Sequence, residues 1–352
     1  MNNELNQSQI GESLDNGQTS NVAQEVEQVD TLGVESIAQG VFYEHFYKEF
    51  TKAAGDFVSI ELQEKLRHAK LLIGGCGSIG SPVATTATRS GMEDITMADP
   101  DVVEQSNLAR QDYTYDQVSV NKSVALRDNL KKINPYPNFR AIPEGITEEN
   151  VEELVKNADI LFDGIDIRSS DMMYKFHEYA AKYRKPVIVG YDLAGTAMIA
   201  VYRYDKKEMK PLNGDIAPGT MEQFKIVKKA YKEGRIPESQ FLDYVNHALT
   251  GAINPFQVPV EQFEQLINKK EGETRTPQIG TTSRLIGALA IETMKQILSG
   301  NEVKDIIAID LPTAVRKFNP SILRKMGLML RTLDTIKSRG KEVNTMINNL
   351  TT

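Results

Sequence analysis

Hydrophobic and polar positions along the chain fall into two alternating rhythms. Short apolar runs at Leu71–Ile73, Ile95–Ala98, Phe139–Ile142, Ile160–Phe162 and Pro186–Tyr191 are too brief for helices. Each ends in Gly, Pro or Asp, as buried parallel strands do. Between them lie segments with a helical period: the stretch after Gly80, Val120–Ile133, Glu148–Lys156 and residues 169–184. Asn134-Pro135 stops the second of these, because the residue before a proline is pushed out of the helical region. Strand and helix alternate in this way to about residue 190. The pattern predicts an α/β fold, a Rossmann-like, doubly wound, mostly parallel sheet with helices on both faces. Ala197–Tyr204 reads as a sixth strand, expected to run antiparallel.

The pattern changes on either side of this unit. Residues 36–69 read as helical, with Phe42, Phe46 and Phe50 spaced four apart on one face, as in a helix packed on a core or a partner subunit. Residues 206–275 are charged, with helices expected at 219–233, 237–250 and 259–269; Gly251–Pro259, with two prolines, separates the last two. Such an insertion near the carboxyl edge of a sheet serves as a lid, a substrate platform or packing decoration. Gly280–Leu298 is a long apolar helix whose small residues permit close packing, Ile306–Leu311 one more strand, and Leu323–Lys337 a basic amphipathic helix. The resulting plan has an acidic, disordered tail at 1–35 and a nucleotide-binding domain at 36–205. The helical insertion at 206–275 follows, and 276–352 returns to the nucleotide-binding domain.

Composition narrows the function classes. The seven acids of residues 1–35 (Glu4, Glu12, Asp15, Glu25, Glu27, Asp30 and Glu35), with no Lys or Arg, account for the formal charge of −7. The neutral remainder makes no electrostatic case for a nucleic-acid binder. No apolar run spans a membrane and the N-terminus has no signal-peptide pattern, so a cytoplasmic location is expected. A single cysteine, Cys76, excludes internal disulfides and multi-cysteine zinc sites. The histidines at 45, 68, 177 and 247 show no metal-ligand spacing.

Candidate chemistry collects around the first strand. Gly75-Cys76-Gly77-Ser78-Ile79-Gly80 matches G-x-G-x-x-G between a strand and a helix. The first glycine allows the turn, the second lets a phosphate approach the backbone, and the third lets helix and strand pack closely. Helix-start N–H groups make an anion site there. Asp99, after the second strand, stands where a carboxylate accepts both ribose hydroxyls. The polar loop Asn107-Leu-Ala-Arg110-Gln111 follows. Lys122 then opens a helix, where the dipole disfavours a cation. It either points at a phosphate or is a solvated surface lysine. The fourth strand ends in Asp163 and Asp166, at the same carboxyl edge as Asp99. A carboxylate there can hold the magnesium ion of a nucleotide or cap the next helix.

Together, Gly75–Gly80, Asp99, Asn107-Leu-Ala-Arg110-Gln111, Lys122 and Asp163-x-x-Asp166 resemble the ThiF, MoeB and HesA family of adenylating enzymes, which includes the nucleotide-binding half of ubiquitin-activating enzymes. The resemblance covers residues 62–205, with an echo at 280–300. It implies that Gly75, Gly77, Ser78, Ile79 and Gly80 lie under ATP, with Asp99 on the ribose. Asn107, Arg110, Gln111 and Lys122 would then hold the nucleotide, and Asp166 would hold Mg2+, with Asp163 as a second candidate. Arg110, Lys122 and Asp166 would act on the charge that builds as a carboxylate attacks the α-phosphate. The implied substrate is the C-terminal carboxylate of a small ubiquitin-like or sulfur-carrier protein or a peptide, and the implied assembly is a homodimer. No zinc, membrane or nucleic-acid partner is expected, although tRNA stays open through relatives that dehydrate threonylcarbamoyl-adenosine.

The departures from the family pattern are specific. No downstream cysteine could carry a thioester, and the Cys-x-x-Cys pairs are absent. Cys76, inside the glycine loop, reads as a small buried residue. The family's Asp-Asn is Asp166-Ile167, the arginine further on is Asp171, and no Arg-Tyr-x-Arg-Gln precedes the first strand. The expected function is therefore ATP-dependent adenylation without a cysteine thioester. A catalytically silent binding subunit and a tRNA dehydratase-like enzyme are the alternatives.

Overall fold

The computed structural model describes residues 31–214, 216, 219–249, 258–269, 272–273, 277–318 and 322–351. The expected acidic tail lies outside these up to residue 30, and so does most of the stretch 251–259. The chain divides into two units, one ending at Ala54 and one running from Gly55 to Thr352. In the first, helix α1 (Thr31–Thr51) runs into a 3-10 turn at Lys52–Ala54, and the Phe46 and Phe50 rings stack 5.4 Å apart. The single helical region expected at 36–69 is in fact two helices. Residues 55–59 interrupt it, and α2 (Ile60–His68) restarts under its own cap, Ser59, whose side chain accepts from the Leu62 amide.

The second unit is built on a seven-stranded sheet. Its strands are β1 (Lys70–Gly74), β2 (Asp94–Ala98), β3 (Arg140–Ile142), β4 (Ile160–Asp163), β5 (Val187–Leu193), β6 (Thr196–Tyr202) and β7 (Ile306–Asp310). Their order across the sheet is β3-β2-β1-β4-β5-β6-β7. The first five are parallel, and β6 and β7 each pair antiparallel with the preceding strand. The α/β fold read from the sequence is thus the observed one. Helices α3 (Gly80–Arg89), α4 (Lys122–Ile133), α5 (Val151–Asn157) and α6 (Ser170–Lys182) connect the parallel strands. β1 is buried from Leu71 to Gly74 and β4 along its whole length, which is why both read as unbroken apolar runs.

Helix α10 (Gly280–Leu298) has the bounds its sequence predicts. It lies on α3, and Gly287 makes that approach possible: a Cβ there would stand 2.9 Å from the Pro82 carbonyl oxygen. The insertion forms α7 (Thr220–Lys232), α8 (Glu238–Leu249) and α9 (Val260–Asn268), each within two residues of its expected ends. A five-residue helix, α11 (Leu311–Val315), follows β7. The last helix, α12 (Ile322–Thr351), is twice the expected length. Its C-terminal half is a structural part of a second core: Val343 is buried with Phe224, Val227, Phe241, Leu242 and Val245 of α7 and α8. Among the described residues no helix is long and apolar enough to cross a membrane.

Candidate functional site

β1 ends between β2 and β4, where the strand order reverses. Gly74 is in register with Ala98 on one side and Asp163 on the other. The Gly75–Gly80 loop, Asp99 and the loop 164–166 therefore emerge side by side. This is the crevice in which an open parallel sheet receives a ligand.

The three glycines of the loop are required for different reasons. Gly75 has φ +85°, and a Cβ there would overlap the Gly164 carbonyl oxygen; one on Gly80 would overlap the carbonyl oxygen of Gly75. Both are demanded by the loop's own packing. A Cβ on Gly77 would meet only the Gln111 side-chain nitrogen, at 3.8 Å. No packing among the described residues forbids a side chain at 77, so the space above it is free for a phosphate. α3, which starts in the same loop, has no side-chain cap; its Ser81 amide donates to the Gly77 carbonyl at 3.1 Å and Pro82 has no N–H, so an anion there meets the amides of the glycine loop up to Gly80.

Asp99 is buried, with one oxygen accepting from the Cys76 amide at 2.6 Å and the other from the Asp101 amide at 2.8 Å. Burial raises its carboxyl above the usual range, against the opposing charge of Lys122 and the two amides. Each oxygen keeps a lone pair for a ribose hydroxyl. Cys76 is wholly buried, and burial together with the Asp99 charge pushes its thiol well above the ordinary value. The Tyr113 hydroxyl donates to the Cys76 carbonyl at 2.6 Å and pins the loop from below.

Lys122 is not a surface lysine. Only 8% of the residue is exposed, and its ammonium lies 2.9 Å from Asp101 Oδ2. Asn121 caps α4 through the amides of Ser123 and Val124, which holds the lysine at the helix start against the dipole. Asn107 is buried, and its Oδ1 accepts from the Glu104 amide at 3.0 Å in a capping box. Gln111 is buried over Gly77, and its Oε1 has no hydrogen-bond partner among the described residues. Arg110 donates from Nε to Gln278 Oε1 at 2.8 Å and from Nη1 to the Ser106 carbonyl at 2.6 Å.

The two carboxylates after β4 separate. Asp163 turns inward: Oδ2 lies 3.2 Å from His177 Nε2, Oδ1 accepts from the Ile165 amide, and the residue is buried. His177 Nδ1 in turn faces the Tyr204 hydroxyl at 2.9 Å, and that oxygen accepts from the Leu212 amide. Asp163 thus faces the interior of the fold, each oxygen already with one partner, whereas Asp166 faces solvent. Asp166 is exposed, caps the 3-10 turn Ile167–Ser169 through the Arg168 amide, and lies 3.5 Å from the Arg168 guanidinium. Arg168 is also held by Glu238 on α8 at 2.9 Å. Among the described residues no group of three His, Cys, Asp or Glu could hold a metal alone. A magnesium ion shared with phosphates needs only one or two carboxylates, which Asp166 can supply.

The departures at 167 and 171 have a structural reason. Ile167 packs against the hydrophobic cluster of α7, α8 and α12. Asp171 pairs with Lys228 of α7 at 2.7 Å. Sequence reasoning missed Gln278 and Asp192. The latter accepts from the Ile279 amide at 2.8 Å; burial raises its carboxyl, opposed by that amide and the Arg110 charge. Nothing in their own neighbourhoods marked either residue; both meet the site through the start of α10.

Residues 51–325 match the model of the ThiF family. The chain is 28% identical over 151 residues to the adenylyltransferase and sulfurtransferase UBA4 of Lodderomyces elongisporus, covering 43% of this chain and 33% of that protein. It is 28% identical over 162 residues to the sulfur carrier protein adenylyltransferase of Thermus thermophilus, 46% of this chain and 57% of the relative. It is 36% identical over 107 residues to the sulfur carrier protein ThiS adenylyltransferase of Bacillus subtilis, 30% of this chain and 32% of the relative. The matched segment spans less than two thirds of the length of each.

Proposed function

We propose, from the premise that the chain belongs to the ThiF family, that it is an ATP- and Mg2+-dependent adenylyltransferase. Its substrate is the C-terminal carboxylate of a small ubiquitin-like carrier protein or a peptide, and the acyl group leaves without a cysteine thioester. In this reading ATP lies over Gly75–Gly80, with its ribose on Asp99. Its phosphates are held by the amides of the glycine loop, Asn107, Arg110, Gln111 and Lys122, and Mg2+ bound by Asp166 would offset their charge. An oxygen of the substrate carboxylate attacks the α-phosphorus, the bond to the bridging oxygen breaks, and pyrophosphate departs with the charge that Arg110 and Lys122 neutralise.

The observation that carries the reading is the division of labour among the glycines. Two are demanded by packing, and the third lies open beneath a buried glutamine whose oxygen lacks a partner, at an uncapped helix start with Lys122 behind Asp99. A hydride-transfer site needs neither the lysine nor the Asp166 carboxylate. The depth of Cys76 and its raised thiol speak against a thioester on it. A cytoplasmic homodimer completes the proposal.

Thermal unfolding of the wild type and of Asp166→Ala, each with Mg·ATP or NAD, tests this. Mg·ATP at 100 times its dissociation constant should add about 2.7 kcal/mol to the wild type and less to the variant, with NAD inert. Stabilisation by NAD alone, or by neither, sinks the assignment. Mg·ATP binding without pyrophosphate release on any carrier or peptide would favour the silent binding subunit. The contact of Arg168 with Asp166, which must open for a metal, is the feature behind that second reading.

A further inference from the structure

The chain that leaves the insertion re-enters the crevice at several points within six residues. Gln278 Oε1 takes the Arg110 Nε hydrogen at 2.8 Å, and the Ile279 amide donates to Asp192. A Cβ on Gly280 would stand 2.7 Å from the Ala109 carbonyl oxygen, so only glycine lets α10 come this close to the 107–111 loop. The Ser283 and Ser78 hydroxyls lie 2.6 Å apart, joining α10 to the glycine loop itself. The whole first turn of α10 is thus fitted against the residues that surround the nucleotide position.

Arg110 is the residue most affected. A guanidinium is a rigid plane, so its direction is set once two of its nitrogens are held. Here Nε is held by Gln278 and Nη1 by the Ser106 carbonyl, while no described residue takes the hydrogens of Nη2. The Ser106 bond alone would leave the plane free to swing about the side-chain torsions, because both ends of that bond lie in one short loop.

We propose that Gln278 is a positioning residue that aims the free Nη2 edge of Arg110 at the phosphates of ATP beyond the α-phosphate. The inference rests on the adenylyltransferase reading above and adds a residue to it from outside the nucleotide-binding segment. It also makes the return limb of the insertion a component of the triphosphate grip, so that the two cannot move independently. The amide oxygen is the acceptor that matters, and a carboxylate at the same place would serve as well.

Titration calorimetry of the full chain with Mg·ATP and with AMP, on the wild type, Gln278→Ala, Gln278→Glu and Arg110→Ala, separates the possibilities. Gln278→Ala should weaken Mg·ATP by about tenfold and leave AMP within about twofold, since only the outer phosphates lose their partner. Gln278→Glu should bind Mg·ATP like the wild type, and adding Gln278→Ala to Arg110→Ala should cost nothing further. Equal weakening of ATP and AMP would mean local damage and overturn the inference. So would a Gln278→Ala variant that binds Mg·ATP as the wild type does, while leaving the adenylyltransferase reading intact. A wild type that binds neither nucleotide would overturn both.

Discussion

At the scale of single residues, the chemistry turns on how Asp99 is held. Its two oxygens take two backbone amides, yet the side chain is buried enough that its carboxyl titrates above the ordinary range. The folded state therefore keeps this proton to higher pH than the unfolded chain, whose value is about 3.9. Where the folded form binds more protons, stability falls as pH rises. We expect Asp99→Asn, which does not titrate, to gain thermal stability relative to the wild type as pH rises from about 4 through the raised value, and then to hold a constant offset. Melting both proteins across this range checks it; a difference that does not change with pH would refute the burial argument. The same variant should lose Mg·ATP affinity, because a neutral amide accepts at one atom only. Asp99 and the glycines were legible in the sequence because a motif states backbone requirements, and those are local. Asp163 was not: its partner His177 lies on α6 and the next link, Tyr204, beyond β6, so only the fold shows that its oxygens are engaged. Lys122 was half legible, its odd place at a helix start being visible and its burial not.

At the scale of elements, local signals worked where a helix has a strong cap or a clean apolar face. α10 and the three insertion helices fall where their periods put them. They failed where tertiary contacts override local composition. The helix expected at Leu323–Lys337 continues past its expected end, and there Gly340 is buried against the His247 ring, where a Cβ would stand 2.9 Å from the ring carbon. A residue that should weaken a helix is what lets α12 lie on α8. Gly287 plays the same part between α10 and α3, and it carries a sharper prediction. Replacing a helical glycine gains about 1 kcal/mol at most in propensity, and less for a β-branched residue. A valine at 287 would press its Cβ to 2.9 Å of the Pro82 backbone oxygen and 3.1 Å of Thr86 Oγ1. Overpacking of this kind costs about 1–3 kcal/mol. Gly287→Val should therefore lower the urea midpoint without changing the slope, and Gly287→Ala, which brings the same Cβ without the two methyl groups, should lower it less. A Gly287→Val variant as stable as the wild type would show that α10 can lift off α3 freely.

At the scale of the molecule, the insertion is attached on both sides of the crevice. On one side Ile167, Arg168 and Asp171 engage its helices through a shared hydrophobic cluster and the pairs with Glu238 and Lys228. On the other, its return limb brings Gln278 to Arg110. Two of the positions that read from the sequence as lost family residues, 167 and 171, are thus contacts with an element that the rest of the chain was not known to need. No local pattern could have revealed this, because the cluster is assembled from α7, α8 and the far end of α12, separated by the whole α10–β7 segment. That assembly makes the C-terminal helix a condition for an ordered insertion. Val343 is buried, and Met346, Ile347 and Leu350 pack beside it, so a chain ending at residue 318 would leave Phe224, Phe241 and Val245 facing water. Trypsin should then cut within 219–249, at sites the intact chain protects, while the fragment carrying the sheet survives. Val343→Asp in the full chain makes the same point without truncation, since an unpaired carboxylate in that cluster costs several kcal/mol. It should expose the same bonds and, by releasing Glu238 from Arg168, shift the Mg2+ concentration at which ATP stabilises the protein. Protection of 219–249 unchanged in both variants would mean that the insertion folds on its own. The insertion would then owe its place beside Asp166 to the pairs at Arg168 and Asp171 alone.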